Sequence, residues 1–76
     1  MRITIKLFAT LRQGRFKTGE FEYPDSTTVG QVLDKLSISR KEMEIGIIFI
    51  NGKRAEFDSI LKADDTVAIF PPVAGG

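Results

Sequence analysis

The chain has no cysteine and no histidine. Without thiols there is no disulfide framework and no reason to expect an oxidising compartment. Without cysteine or histidine, thiolate chemistry, imidazole acid–base work and the usual zinc sites are excluded as well. Charge of one sign is also missing. Eleven Lys and Arg against ten Asp and Glu leave a net charge of +1, which gives no general drive toward nucleic acid. No apolar run approaches the ~20 residues of a membrane span, and no Gly-rich phosphate loop of either common type is present. Met1 leads straight into an alternating strand pattern, so no signal peptide is expected and the cytoplasm is the expected compartment. A chain with so few catalytic parts is expected to act by being bound. If it takes part in chemistry, its own terminus is the expected reacting group.

What is present describes one small domain. The 76 residues are 42% apolar and 28% charged, ordinary for a globular protein and too apolar for disorder. Val67 to Phe70 is a short apolar run with β-branched residues at alternate positions, and it reads as a strand. Pro71 and Pro72 stop it, because proline has no N–H for a sheet ladder and favours a stiff polyproline-type segment. Val73, Ala74, Gly75 and Gly76 follow. The expected organisation is a domain over residues 1–70 and a tail over 71–76.

A Gly-Gly end has a specific chemical use. Backbone without a Cβ can lie in a narrow channel, so a carboxylate on Gly76 could be threaded into another protein's active site. There its oxygen could attack the α-phosphate of ATP and form an acyl-adenylate. The alternative is a frayed terminus, the usual fate of small residues at a chain end.

Arg2 to Phe8 alternates, with Ile3, Ile5 and Leu7 on one face and Arg2, Thr4, Lys6 and Phe8 on the other, a half-buried strand. Ala9 to Gly19 is polar and basic and reads as a loop, and Glu20 to Tyr23 as a short strand ended by Pro24-Asp25-Ser26. Thr28 and Gln31 stand at capping-box spacing ahead of an apolar stripe of Val29, Val32, Leu33 and Leu36, which predicts a short helix. Ser39 and Glu42, flanked by Ile38 and Met43, predict one further helical turn. Ile45 to Ile50 reads as a well-buried strand, Asn51-Gly52 as a hairpin turn, and Lys53 to Glu56 as the return strand. Phe57 is expected under the sheet, and Asp58 or Ser59 to cap a helical turn carrying Ile60 and Leu61. Asp64-Asp65 reads as a polar turn, since a metal site needs more oxygen ligands than two adjacent carboxylates offer, and no metal is expected. This order gives a two-layer α+β domain, a sheet with one helix across one face. Its expected core centres on Ile3, Ile5, Leu7, Val29, Leu33, Leu36, Ile48, Ile50, Val67 and Ile69.

The order with its Gly-Gly end resembles the β-grasp, ubiquitin-like fold, and within it the MoaD/ThiS-type sulfur carriers. Phe70 to Gly76, F-P-P-V-A-G-G, looks like the terminal motif of the molybdopterin synthase small-subunit (MoaD) branch. Phe8-Ala9 followed by Leu11-Arg12 resembles that branch's segment after the first strand, and Thr28 to Leu33 also fits. Thiamine-pathway carriers share the Gly-Gly but typically lack Phe-Pro-Pro. The resemblance implies that a ubiquitin-activating-type adenylyltransferase (MoeB/ThiF-like), using MgATP, adenylates Gly76. A sulfur donor then converts the adenylate to a thiocarboxylate. The tail, Pro71 to Gly76, inserts into the large synthase subunit (MoaE-like), which supplies the catalytic groups, and the sulfur reaches the dithiolene of the molybdenum or tungsten cofactor. No cofactor is expected on this chain itself.

The β-grasp fold implies first and last strands adjacent and parallel, which puts Phe8 and Phe70 on the outer face, with Lys6, Lys53 and Arg54 expected to rim the patch. The alternative is that each ring is covered by its own loop or tail. Arg54 stands where members of the resembled family often carry an exposed apolar residue, and it would suit an activating enzyme with a more acidic pocket. Three readings stay open: a sulfur carrier, a ubiquitin-like modifier joined through Gly76 to lysines, and a passive interaction module.

Overall fold

Strand β1, Arg2–Leu7, alternates as the sequence requires: Ile3, Ile5 and Leu7 are fully buried while Arg2 and Lys6 are exposed. The computed structural model describes residues 1–72. β2 covers Thr18–Glu22, α1 Val29–Lys35, β3 Ile47–Ile50, β4 Lys53–Arg54 and β5 Thr66–Phe70. The strands form one sheet in the order β2-β1-β5-β3-β4. β1 and β5 run parallel at its centre, and the other neighbours are antiparallel. Helix α1 buries Val29, Val32 and Leu33 in the core that Ile3, Ile5, Leu7, Val67 and Ile69 build from the central strands. This is the α+β, β-grasp arrangement expected from the sequence: a mixed sheet with one helix across one face.

The helix starts and stops for local reasons. Gln31 N–H donates to Thr28 Oγ1 (3.2 Å) and Thr28 N–H donates to Gln31 Oε1 (2.8 Å), the reciprocal capping box. At the other end Ser37 takes a left-handed conformation at φ +59°. Ile38 N–H then reaches Leu33 O (2.9 Å) and Ser37 N–H reaches Asp34 O (3.1 Å), a Schellman closure with serine where glycine is usual. The Arg15 guanidinium satisfies two carbonyls left over, donating to Leu36 O (3.2 Å) and Ser37 O (3.1 Å). The Asn51-Gly52 turn has φ of +51° and +82°, the signs a tight two-residue hairpin needs. Asn51 does more: its Nδ2 donates to Asp65 Oδ1 (2.8 Å) and its Oδ1 accepts from Thr66 N–H (2.9 Å), pinning the hairpin to the start of β5. Asp64, at φ +68°, and Asp65, whose Oδ2 accepts from Lys62 N–H (2.8 Å), form the polar turn expected there.

Several expectations are corrected. β1 ends at Leu7, because Ala9 turns the chain at φ +52° into a 3₁₀ turn, Ala9–Arg12, which buries Leu11 within a segment that reads as polar. β2 begins earlier than Glu20 and ends before Tyr23, although Phe21 and Tyr23 do pack together at 6.3 Å between ring centroids. Ile45 to Ile50 is not a wholly buried strand. Ile48 is buried and Ile50 half-buried on the helix side, while Ile47 is 39% exposed on the other face, because pairing to β5 imposes strand alternation. Ile45, 79% exposed, ends the preceding 3₁₀ turn and is not in the strand. The return strand stops at Arg54 rather than Glu56. No helical turn carries Ile60 and Leu61. That segment is extended, bridging Thr28 through Val29 N–H to Ser59 O (3.0 Å) and Leu61 N–H to Thr27 O (2.8 Å), and it leaves Ile60 61% exposed. The turn beginning near Ser39 is present as a 3₁₀ turn, Glu42–Ile45, with Ser39 Oγ accepting from Glu42 N–H and with Ile38 and Met43 buried. Of the expected core, Leu36 and Ile50 are half-buried at its margin, whereas Leu11, Tyr23, Val32, Ile38, Met43, Ala55 and Leu61 also belong to it.

Candidate functional site

Residues paired across a sheet share a face. The registers Lys6↔Ala68, Phe49↔Ala68 and Phe49↔Arg54 therefore place Lys6, Ala68, Phe49 and Arg54 in one row on the face away from the helix. The next row toward the end of β5 holds Phe70, paired with Ile47, and beside it Phe8, whose N–H donates to Ile69 O (3.2 Å). An aromatic and aliphatic patch thus stands at the end of β5, with Lys6 and Arg54 on its flanks. The opposite end of the same face is polar, with Thr4 paired to both Glu20 and Thr66.

The rings pack on one another. Phe8 and Phe70 stack with centroids 4.1 Å apart and planes 12° from parallel, and Phe49 meets Phe70 edge-on at 5.9 Å and 88°. The Arg12 guanidinium lies 5.3 Å from the Phe8 centroid, held by Nε donating to Leu7 O (2.7 Å). All three rings are half-buried, and Ile47, paired with Phe70, extends the apolar surface beside them. Such a patch with a cationic rim is a surface suited to a partner with an apolar pocket and acidic edges. The alternative, rings covered by their own loop, applies in part to Phe8, which Arg12 overlies.

Of the residues expected around the patch, Phe8, Phe70, Lys6 and Arg54 come together. Lys53 does not: it pairs with Ile50, one residue out of step with Arg54, and so belongs to the other face. Phe49, Ile47 and Arg12 are the members sequence reasoning missed. The Asn51-Gly52 turn already implied the Phe49–Arg54 pairing, so that signal was available. Gly46 is a further missed residue. A Cβ there would stand 2.7 Å from the Phe70 carbonyl oxygen and 2.5 Å from Met43 Cε, so only glycine lets this backbone approach the end of β5. Pro71 and Pro72 continue from Phe70 and are half-buried. Val73, Ala74, Gly75 and Gly76 lie outside the described residues.

A profile of the ThiS family matches residues 5–76. A search of curated protein sequences finds no match. Among solved structures the chain is similar to SAMP1 from Haloferax volcanii, at 29% identity and a TM-score of 0.77, with 100% of both chains covered. It is also similar to a protein from Pyrococcus furiosus named as molybdopterin converting factor subunit 1, at 25% identity and a TM-score of 0.73, over 96% of this chain and 99% of that one. It shares its fold, at 17% identity and a TM-score of 0.64 over all of both chains, with a chain from the complex of subunits 1 and 2 of the Helicobacter pylori molybdopterin-converting factor. The architecture is that of MoaD/ThiS-type sulfur carriers and ubiquitin-like modifiers. With the profile spanning nearly its whole length, the chain belongs to the ThiS family.

Proposed function

We propose that the chain is a sulfur carrier whose Gly76 carboxylate is the reacting group, serving synthesis of the molybdopterin dithiolene. The observation that carries this reading is the junction at Phe70. The strand that ends in the aromatic patch is the one that leads through Pro71-Pro72 toward Val73, Ala74, Gly75 and Gly76, within a family match that runs to residue 76. A partner gripping the patch would hold the start of the tail in a fixed place, and the slim residues beyond it suit a narrow channel.

The chemistry balances without any side chain of this protein. A Gly76 carboxylate oxygen attacks the α-phosphorus of MgATP bound by an adenylyltransferase, and pyrophosphate leaves. A donor delivering sulfur at the sulfide level then attacks the acyl carbon and expels AMP, leaving a thiocarboxylate. The partners are thus a ubiquitin-activating-type enzyme, a sulfur donor and a large synthase subunit. The last is supported by the two-subunit Helicobacter pylori assembly that shares the fold. We place the process in the cytoplasm. No helix among the described residues is long and apolar enough to cross a membrane.

A second reading, conjugation of Gly76 to lysines as a modifier, is favoured by the similarity to SAMP1 from Haloferax volcanii, whose sequence identity to this chain is 29%. Both begin with adenylation, so a first test addresses the shared step. Deleting Gly76 should abolish ATP–pyrophosphate exchange with the activating enzyme and leave the denaturation midpoint unchanged. Normal exchange by the shortened protein would sink both readings. Intact mass after isolation from cells holding the activating enzyme separates them: replacement of one oxygen by sulfur marks a carrier, and high-mass adducts mark a modifier.

A further inference from the structure

A second surface lies at the β4 edge of the sheet. A cleft of about 310 Å³ opens between β4 and the extended segment that bridges α1, with Ile50 and Ile60 among its lining. Ile60 is 61% exposed. Lys53, Arg54 and Lys62 line the same cleft. The ion pairs among the described residues join Met1, Arg2 and Arg40 to Glu20, Glu22 and Asp34, and none uses these three cations. The one carboxylate in the lining, Asp65, is already engaged by Asn51 Nδ2 and Lys62 N–H, each at 2.8 Å.

The backbone adds directional groups. Ala55 N–H donates to Ile48 O (2.8 Å), so the antiparallel alternation makes Phe49–Arg54 the unbonded pair and turns the Arg54 N–H and C=O toward the open edge. The bridge beside Thr28 uses Ser59 O and Leu61 N–H, which turns the peptide groups of Ile60 away from Thr28. An extended segment laid along this cleft would find backbone partners, an aliphatic floor and a cationic rim.

We propose that the cleft docks an extended acidic segment of a partner protein, with an aliphatic side chain seated between Ile50 and Ile60 and flanking carboxylates on Lys53 and Lys62. The match is one of charge: three cations against a single, already engaged carboxylate favour an anionic strand over a neutral or basic one. This surface is separate from the aromatic patch. Phe8, Phe49 and Phe70 lie on the face away from the helix, whereas Lys53 and Ile50 pair on the helix side, and Arg54 stands at the border between the two. A partner holding the patch could therefore extend an acidic arm around the β4 edge.

The probe is an acetylated, amidated hexapeptide alternating aspartate with valine and isoleucine, titrated into the full-length chain and followed by amide chemical shifts. Saturable shifts at Lys53, Arg54, Ile60 and Lys62 are expected. The double substitution K53E/K62E should weaken binding by about tenfold or more, an asparagine version of the peptide should do likewise, and Phe70→Ala should leave binding intact. Lys53, Ile60 and Lys62 are exposed, so the charge reversal and a companion Ile60→Ser are expected to fold normally, which their unperturbed spectra would show. Shifts confined to the Phe49–Phe70 face, binding indifferent to K53E/K62E, or no saturation at millimolar peptide would overturn the proposal. So would cleft shifts on deleting residues 73–76 without peptide, which would assign the cleft to the chain's own end, or a doubling of mass, which would assign it to a second copy.

Discussion

Replacing Gly46 by alanine tests how tightly β5 is held where the tail begins. The backbone at Gly46, φ −83° and ψ −179°, is open to any residue, so conformation does not demand glycine there. Space does. The added Cβ would stand 2.7 Å from the Phe70 carbonyl oxygen, 2.5 Å from Met43 Cε and 3.0 Å from Met43 Sδ. A thioether end can usually swing aside, but Met43 is 2% exposed and packed in the core. The carbonyl belongs to a strand residue fixed in register against Ile47. Overpacking of this kind costs ~1–3 kcal/mol, and the loss of glycine's unfolded-state freedom returns ~0.4–1 kcal/mol, so a net loss of ~1–2 kcal/mol is expected. In a domain of this size that lowers Tm by about 4–16 °C, readable by thermal denaturation. Repeating the substitution in a Met43→Ala background divides the cost. If Met43 accounts for all of it, the penalty vanishes; if the Phe70 carbonyl contributes, it persists. A Gly46→Ala protein with an unchanged Tm would refute the close approach altogether.

Features set by local chemistry were legible in the sequence. Alternation in β1, the Thr28–Gln31 capping box and the Asn51-Gly52 turn each depend on residues a few positions apart, and each is present. Features that depend on distant partners were not. Leu11 is a single buried residue in a 3₁₀ turn, and one residue makes no periodicity. Ile45 to Ile50 reads as buried because its composition is apolar, but pairing to β5 decides which residues face the helix. Ser59 to Leu61 has helix-like spacing, and hydrogen bonds to Thr27 and Val29 override it. Ser37 ends the helix in a conformation that normally advertises itself by glycine, so nothing in its identity marks the stop. The candidate site divides the same way. Phe8, Phe70 and Lys6 follow from strand alternation and the parallel pairing of first and last strands, and Arg54 from the hairpin pairing with Phe49. Lys53 was misplaced because alternation was not carried through the hairpin, and Gly46 and Arg12 act through contacts that no spacing encodes.

Ser37→Gly should stabilise the domain by ~0.5–1 kcal/mol, since a left-handed serine costs roughly 1–2 kcal/mol and glycine's extra chain entropy returns part of that; a lower denaturation midpoint would contradict the helix stop described here. Tyr23 is the sole tyrosine, and burial raises its pKa above the ordinary 10.0, so the folded chain keeps a proton that the unfolded chain loses. Its contribution to stability is whole below pH 10 and is lost as pH rises through the folded value; Tyr23→Phe should remove that part of the alkaline loss, and a tyrosinate absorbance midpoint at or below 10 in the folded protein would refute the assignment. Phe70→Ala addresses the docking face directly. The ring stacks on Phe8 at 4.1 Å and meets Phe49 at 5.9 Å, so truncation removes the centre of the patch and the aromatic contact of both neighbours. An aromatic anchor at the middle of an interface is worth ~1–3 kcal/mol, which is about a 5- to 150-fold rise in Kd for the activating enzyme or the large synthase subunit. The same ring is only half-buried and lies outside the helix-facing core, so its cost to folding should be smaller than that of fully buried Leu33→Ala, ~2–5 kcal/mol. Calorimetric titration with each partner and urea denaturation of both variants measure the two effects separately. If Phe70→Ala unfolds the domain, the ring belongs to the core; if it leaves both affinities untouched, partners grip the chain elsewhere.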